Sequence, residues 1–205
     1  MATKIVSEPA KEPVTLAEAK AHCRITVSDD DDLVTALIVA ARQSAEIHTN
    51  RQFITATWKL TLDSFPGGQQ YATDVLVGAS DIIRIPYPPL QTITHVKYYD
   101  TGGTQQTLSA DDYQVDNQSE PGRIYPGVDD LWPFTELNRI NAVEIQYDAG
   151  YGDDEEDVPQ AIKQAIFLTV GHWYEHREEV LVGVTPSKLP FAAESLLINY
   201  SVPEV

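Results

Sequence analysis

His172-Trp173-Tyr174-Glu175-His176 matches the H-x-x-E-H spacing of inverted zinc proteases. On a helix, positions i and i+4 place both imidazoles on one side, where two nitrogens reach one Zn²⁺ ion and the glutamate activates a water. A catalytic zinc also needs a third protein ligand, and the only side-chain carboxylates after His176 are Glu178, Glu179, Glu194 and Glu204. Trp173 and Tyr174 inside the motif fit a packed helix face, and His176 near a helix end suits the negative end of the dipole. The packed-helix reading is preferred: no catalytic residues, no metal, no cofactor, not an enzyme. A zinc-dependent hydrolase built on His172, Glu175 and His176 is the alternative.

Other chemistry is thinner. The sequence has no G-x-S-x-G, no P-loop and no G-x-G-x-x-G. A phosphate beside Gly150-Tyr151-Gly152 would meet the carboxylates of Asp153 to Asp157. Asp29 to Asp32 lacks the alternating ligands, central glycine and closing glutamate of a calcium loop, so it reads as a helix start. Cys23 stands alone, which excludes an intramolecular disulfide and fits synthesis in a reducing cytoplasm.

The charge is lopsided: 31 acidic against 14 basic residues, net −17, with no two basic residues adjacent. Phosphate binding gains from clustered cations that release counterions, so gripping nucleic acid is not expected. A strongly negative surface instead repels DNA. The acidity also leaves open a DNA-mimic inhibitor, whose affinity for a DNA-binding enzyme would collapse with salt. No stretch approaches the roughly 18 apolar residues of a membrane span, and polar Met1 to Glu12 reads as a flexible segment rather than a signal peptide.

The elements that would hold these residues follow from caps and periods. Thr15-Leu16-Ala17-Glu18 has the capping-box pattern and predicts a short helix to about Arg24. A second helix starts at the aspartates, which face the positive end of its dipole, and runs to about Asn50. It carries two apolar stripes, Leu33, Leu37, Ala40, Ser44, Ile47 and Val34, Ile38, Ala41, Ala45, wider than one packing face requires. It is therefore central to its own bundle or packs one edge on a neighbouring subunit.

Alternation from Arg51 predicts a strand around Trp58, Leu60 and Leu62, closed by Pro66-Gly67-Gly68. Further strands are predicted at Ile82–Ile85, Thr92–Tyr99, Gln105–Leu108, Tyr113–Val115 and Ala142–Tyr147. Asp100-Thr101-Gly102-Gly103 predicts a hairpin turn, and Pro86, Pro88 and Pro89 an edge or crossover. The repeat of Ile162, Ala165, Ile166, Thr169, Val170 and Trp173 predicts an amphipathic helix from Val158 to His176, and a last helix follows over Phe191 to Tyr200. The fold class is α+β: a bundle of about four helices (13–51 and 153–205) with a β-rich insertion (52–152) between its second and third helices, after a flexible segment 1–12.

In that order and spacing, residues 9 to 200 resemble the head–tail connector (adaptor, or head-completion) family of tailed bacteriophages, prophages and gene transfer agents. The resemblance is carried by Glu12-Pro13-Val14-Thr15-Leu16-Ala17-Glu18-Ala19-Lys20, Asp29–Asp32, Thr49-Asn50-Arg51 and Pro88-Pro89-Leu90-Gln91-Thr92-Ile93. It continues in Tyr113-Gln114-Val115-Asp116, Trp132-Pro133, Tyr147-Asp148-Ala149-Gly150-Tyr151-Gly152, Val158 to Ile166 and His172 to Glu178. It implies a structural virion protein at the head–tail junction: a ring, commonly of twelve copies, beneath the portal protein. Such a ring extends the DNA channel, lets DNA pass without sequence-specific binding and meets the next connector or tail protein. Ring contacts are expected on the second and third helices, at Ala36, Ala40, Gln43, Gln164, Phe167 and Trp173. By the same resemblance, Leu181 to Val205 is the expected portal-binding arm, through Leu181, Leu189, Phe191, Leu196, Leu197 and Ile198, or else it completes the monomer's own bundle.

Overall fold

Thr15 caps the first helix as its pattern requires. Its hydroxyl accepts the Glu18 amide at 3.2 Å, while the Glu18 carboxylate accepts the Thr15 amide at 2.8 Å, so two orphan donors are satisfied reciprocally. The computed structural model describes residues 1–67, 81–128, 130–136, 138–176 and 191–203. Strands β1 (Ala2–Ser7), β2 (Ala56–Leu62), β3 (Ile83–Ile85), β4 (Leu90–Tyr99), β5 (Gln105–Leu108), β6 (Tyr113–Asp116), β7 (Gly122–Pro126) and β8 (Val143–Ala149) mix with helices α1 (Leu16–Cys23), α2 (Asp31–Thr49), α3 (Gln160–Glu175) and α4 (Phe191–Leu197). The fold is α+β, with the strand-rich stretch from β2 to β8 lying between α2 and α3 in the chain. Two compact units emerge, one from Pro9–Thr55 with Tyr151–Pro203, the other from Met1–Glu8 with Ala56–Gly150.

In the helical unit, α3 packs against α1, α2 and α4. Ile162, Ala165, Ile166 and Val170 of α3 are buried against Val34, Ile38, Ala41 and Ala45 of α2, with Ala193 and Leu197 of α4 in the same core. Both α1 and α2 end on a left-handed residue, Arg24 (φ 58°) and Asn50 (φ 53°), whose amides close onto the preceding carbonyls. Of the two stripes on α2, only the one containing Val34 is fully covered. Leu33 is 36% exposed and Ile47 78% exposed.

In the strand unit, β8 lies centrally in a five-stranded antiparallel sheet ordered β1-β2-β8-β4-β5. Its Val143, Ile145 and Tyr147 alternate inward and are fully buried. A second sheet, β3-β7-β6, contributes Ile83, Ile85 and Ile124 to the same core. The proline-rich stretch 86–89 is the crossover between the two sheets. A Cβ on Gly122 would stand 2.6 Å from the Cβ of Leu90, so only glycine lets β7 approach the start of β4. The β4–β5 hairpin is held by Asp100, whose Oδ1 accepts the amides of Gly102 and Thr104, with Gly103 at φ 79°.

Two features depart from the sequence expectations. Segment 1–12, expected to be flexible, contains β1, which pairs Ala2 through Ser7 with β2. An edge strand gains its order from ladder hydrogen bonds, which leave no hydrophobic period in the sequence. Strand β7, bounded by Gly122 and Pro126, is absent from the strands predicted from sequence, yet it pairs on both sides, with β3 and β6.

Candidate functional site

The end of α3 turns the inner residues of His172–His176 toward structure. The Tyr174 hydroxyl donates to Asp30 Oδ2 at 2.6 Å, tying α3 to the start of α2. Trp173 is partly buried against the helical core. His172, Glu175 and His176 are exposed. The two imidazoles lie 4.6 Å apart, tilted by 31°, and the His176 ring Nδ1 is 3.0 Å from the His172 carbonyl. Among the described residues, no three His, Cys, Asp or Glu are grouped as a metal would need. The Cys23 thiol is pushed up by burial and then by the Glu175 charge, which keeps it protonated and poorly nucleophilic.

Helix α2 presents a different surface. Ala36, Ala40 and Gln43 stand exposed at i, i+4 and i+7 on one edge, in line with exposed Ile47 and flanked by Leu33. The opposite side is locked by a buried ion cluster. Arg42 Nε donates to Glu12 at 2.7 Å and its Nη1 to Glu46 at 2.7 Å, while Glu46 also accepts Gln52 and the Phe53 amide. Burial pushes the Glu46 carboxyl up, against the pull of Arg42. Those bonds orient α2 and leave its Ala36–Ile47 edge open.

The other ring-contact candidates do not share that edge. Gln164 and Trp173 are half-buried. Phe167 is 9% exposed and stacks on His22 with ring centroids 5.4 Å apart, so it belongs to the monomer's own core. It stands outside the apolar repeat of α3, and the sequence does not reveal that His22 of α1 covers it.

Of the expected C-terminal arm, Leu181, Leu189 and the side chain of Phe191 lie outside the described residues. Leu196 packs partly against the helical core, Leu197 is 1% exposed and Ile198 is 67% exposed. The chain then returns to the end of α2. The Val202 amide donates to Thr49 O at 3.0 Å, Asn50 Nδ2 to Val202 O at 2.8 Å, and Arg51 Nε to Tyr200 O at 2.5 Å. Residues 193–202 thus help close the bundle, and Ile198 is the apolar side chain left outward.

Sequence reasoning missed one further surface, in the strand unit. Between β7 and β8, Leu131 is 82%, Phe134 62% and Ile140 79% exposed, while Trp132 between them is 5% exposed. The Trp132-Pro133-Phe134 cluster in a stretch without strand periodicity was the available signal.

Comparison with known proteins adds the following. The sequence model for head completion protein matches residues 12–183. No curated protein matches the chain. Among solved structures, the fold is similar to a chain in the virion of a native gene transfer agent particle, at 20% identity and a TM-score of 0.77, covering 100% of this chain and 97% of that one. It is also similar to chains in the neck of the empty particle with C6 symmetry and of the native particle with C12 symmetry. Each of these has 20% identity, a TM-score of 0.75 and the same coverage, 100% and 97%.

Proposed function

The chain belongs to the head completion protein family, and from that membership we propose that it is a structural head–tail adaptor of a phage, prophage or gene transfer agent particle. It forms a ring under the portal protein, extends the DNA channel and carries the next connector or the tail. The observation that carries this reading is the family match over residues 12–183. The likeness over the full chain to a fold found in particle necks is consistent with it.

The physical chemistry supports a passive channel part. A net charge of −17 presents passing DNA with repulsion and no binding well. The open α2 edge through Ala36, Ala40 and Gln43 is the proposed ring contact, since small side chains let a neighbouring element approach closely. Ile198, exposed just after α4, is the proposed portal contact. The role is structural, with no reacting group assigned.

Particles assembled without this chain test the reading. Electron microscopy should find heads that package DNA yet lack tails, with tails restored when the chain is supplied in trans. Tailed, infectious particles in its absence would contradict the adaptor role.

A further inference from the structure

The register of the three-stranded sheet sets two arginines against each other. Arg84 on the edge strand β3 lies directly opposite Arg123 on β7, and Asp116 of β6 lies opposite Arg123 on its other side. Residues paired this way share one face of the sheet, with Cβ atoms about 4.5–5.5 Å apart, and like charges so placed are destabilising. An edge strand gains from a charge that deters further pairing, but a glutamate there would do the same and pair with Arg123. The edge position therefore explains a charge and leaves its sign unexplained.

The local carboxylate does not settle the pair. Asp116 Oδ2 accepts Arg123 Nε at 2.7 Å and the Ser119 hydroxyl at 2.7 Å, and its Oδ1 accepts the amides of Gln118 at 3.0 Å and Ser119 at 3.1 Å. A carboxylate has about four lone-pair sites, so none is left for Arg84. Arg123, and then Ser119, hold the Asp116 carboxyl well below the usual range, so it stays ionised and keeps Arg123 in place. Held through Nε, the Arg123 guanidinium leaves both Nη groups without an acceptor among the described residues. Arg84 is exposed and makes no ion pair among them. The opposed lysines Lys4 and Lys59 differ, because Glu144 accepts Lys59 at 3.2 Å and has acceptor capacity to spare.

Two forks of N–H donors suit an oxyanion taken bidentately. Two guanidiniums are fewer than the several clustered cations that hold a phosphate backbone, so the fit is to a protein carboxylate. This chain carries that group in excess, with 31 acidic against 14 basic residues. In its helical unit Asp29, Asp32 and Glu156 are exposed without an ion pair among the described residues. A closed ring joins its copies head to tail, one patch meeting a different patch on the next copy. The arginine pair and the spare carboxylates supply both halves of such a contact in one chain.

We propose that Arg84 and Arg123 form an ion-pair contact between copies, taking an exposed carboxylate of a second copy of this chain. The contact rests on the ring reading and adds a site in the strand unit to the α2 edge. The like-charge cost carried by the free chain is relieved when the neighbour's carboxylate arrives.

Two full-length variants test it, each co-expressed with the portal protein of its genome and read by native mass spectrometry. Arg84→Glu gives Arg123 a carboxylate from its own chain. The free variant should be at least as stable as wild type in urea, while the yield of rings falls about tenfold. Arg84→Lys keeps the charge and should form rings. Built from mixed chains of two nitrogen isotopes and treated with a carbodiimide, those rings should carry an amide from the substituted side chain to an Asp or Glu of the other isotope. Wild-type ring yield for Arg84→Glu, a less stable free Arg84→Glu chain, or equal losses in both variants overturns the contact. So do amides that are absent, confined to one chain (to Asp74 or Asp116, for example) or made only to portal. All of these leave the adaptor reading standing. Wild-type chain that forms no ring with portal overturns that reading and the contact with it.

Discussion

Tyr147 shows how tightly single residues are constrained at the centre of the strand unit. Its side chain is fully buried, and its hydroxyl has no hydrogen-bond partner among the described residues. A buried hydroxyl without a partner costs about 1–3 kcal/mol of desolvation. Tyr147→Phe removes that cost while keeping the ring, so stability at neutral pH should hold or rise by up to about 2 kcal/mol. Burial, and then the nearby Tyr87, push the Tyr147 phenol far up. A raised folded-state pKa contributes stability that is complete below the unfolded value and is lost as pH rises beyond it. Wild type should therefore fall behind Tyr147→Phe by about 1 kcal/mol more between pH 10 and 11. Urea denaturation at both pH values checks this. A variant destabilised at neutral pH would mean that the hydroxyl has a role that the packing does not reveal.

Among the elements, α2 joins local chemistry to assembly, because one of its faces is spent on the core and another is left open. Ala40→Glu should leave the monomer's stability within about 0.5 kcal/mol, since Ala40 is exposed. The same variant should lose ring assembly, read by native mass spectrometry of its complex with portal protein. Full-size rings would remove the α2 edge from the interface. The helices were legible in sequence for local reasons: the Thr15–Glu18 box, the aspartates at the start of α2 and the α3 repeat are short-range signals. Strands β2, β4, β5, β6 and β8 announced themselves by alternation or turn chemistry, as Asp100 does in its hairpin. What sequence hid was non-local. Strand β1 is ordered by β2, fifty or more residues downstream, Phe167 is covered by α1, and Trp132 is buried with its ring stacked on Phe65 while Leu131 and Phe134 beside it stay exposed. Reading one sequence shows which residues are apolar, and only the fold shows which of them found a partner.

For the molecule as a whole, composition and site geometry point the same way. The chain has clustered carboxylates without clustered cations, two histidines at the end of α3 whose tilted rings lie against each other, and a sulfhydryl held neutral by burial. Among the described residues it also exposes Leu33 and Ile47 on α2, Ile198 after α4, and Leu131, Phe134 and Ile140 between β7 and β8. The proposed adaptor role would give such side chains neighbouring chains to meet. Native mass spectrometry of the chain co-expressed with the portal protein of its genome tests that claim most directly. A complex holding a closed ring of this chain bound to a ring of portal is the predicted result. Portal rings that form normally and carry none of this chain would contradict it.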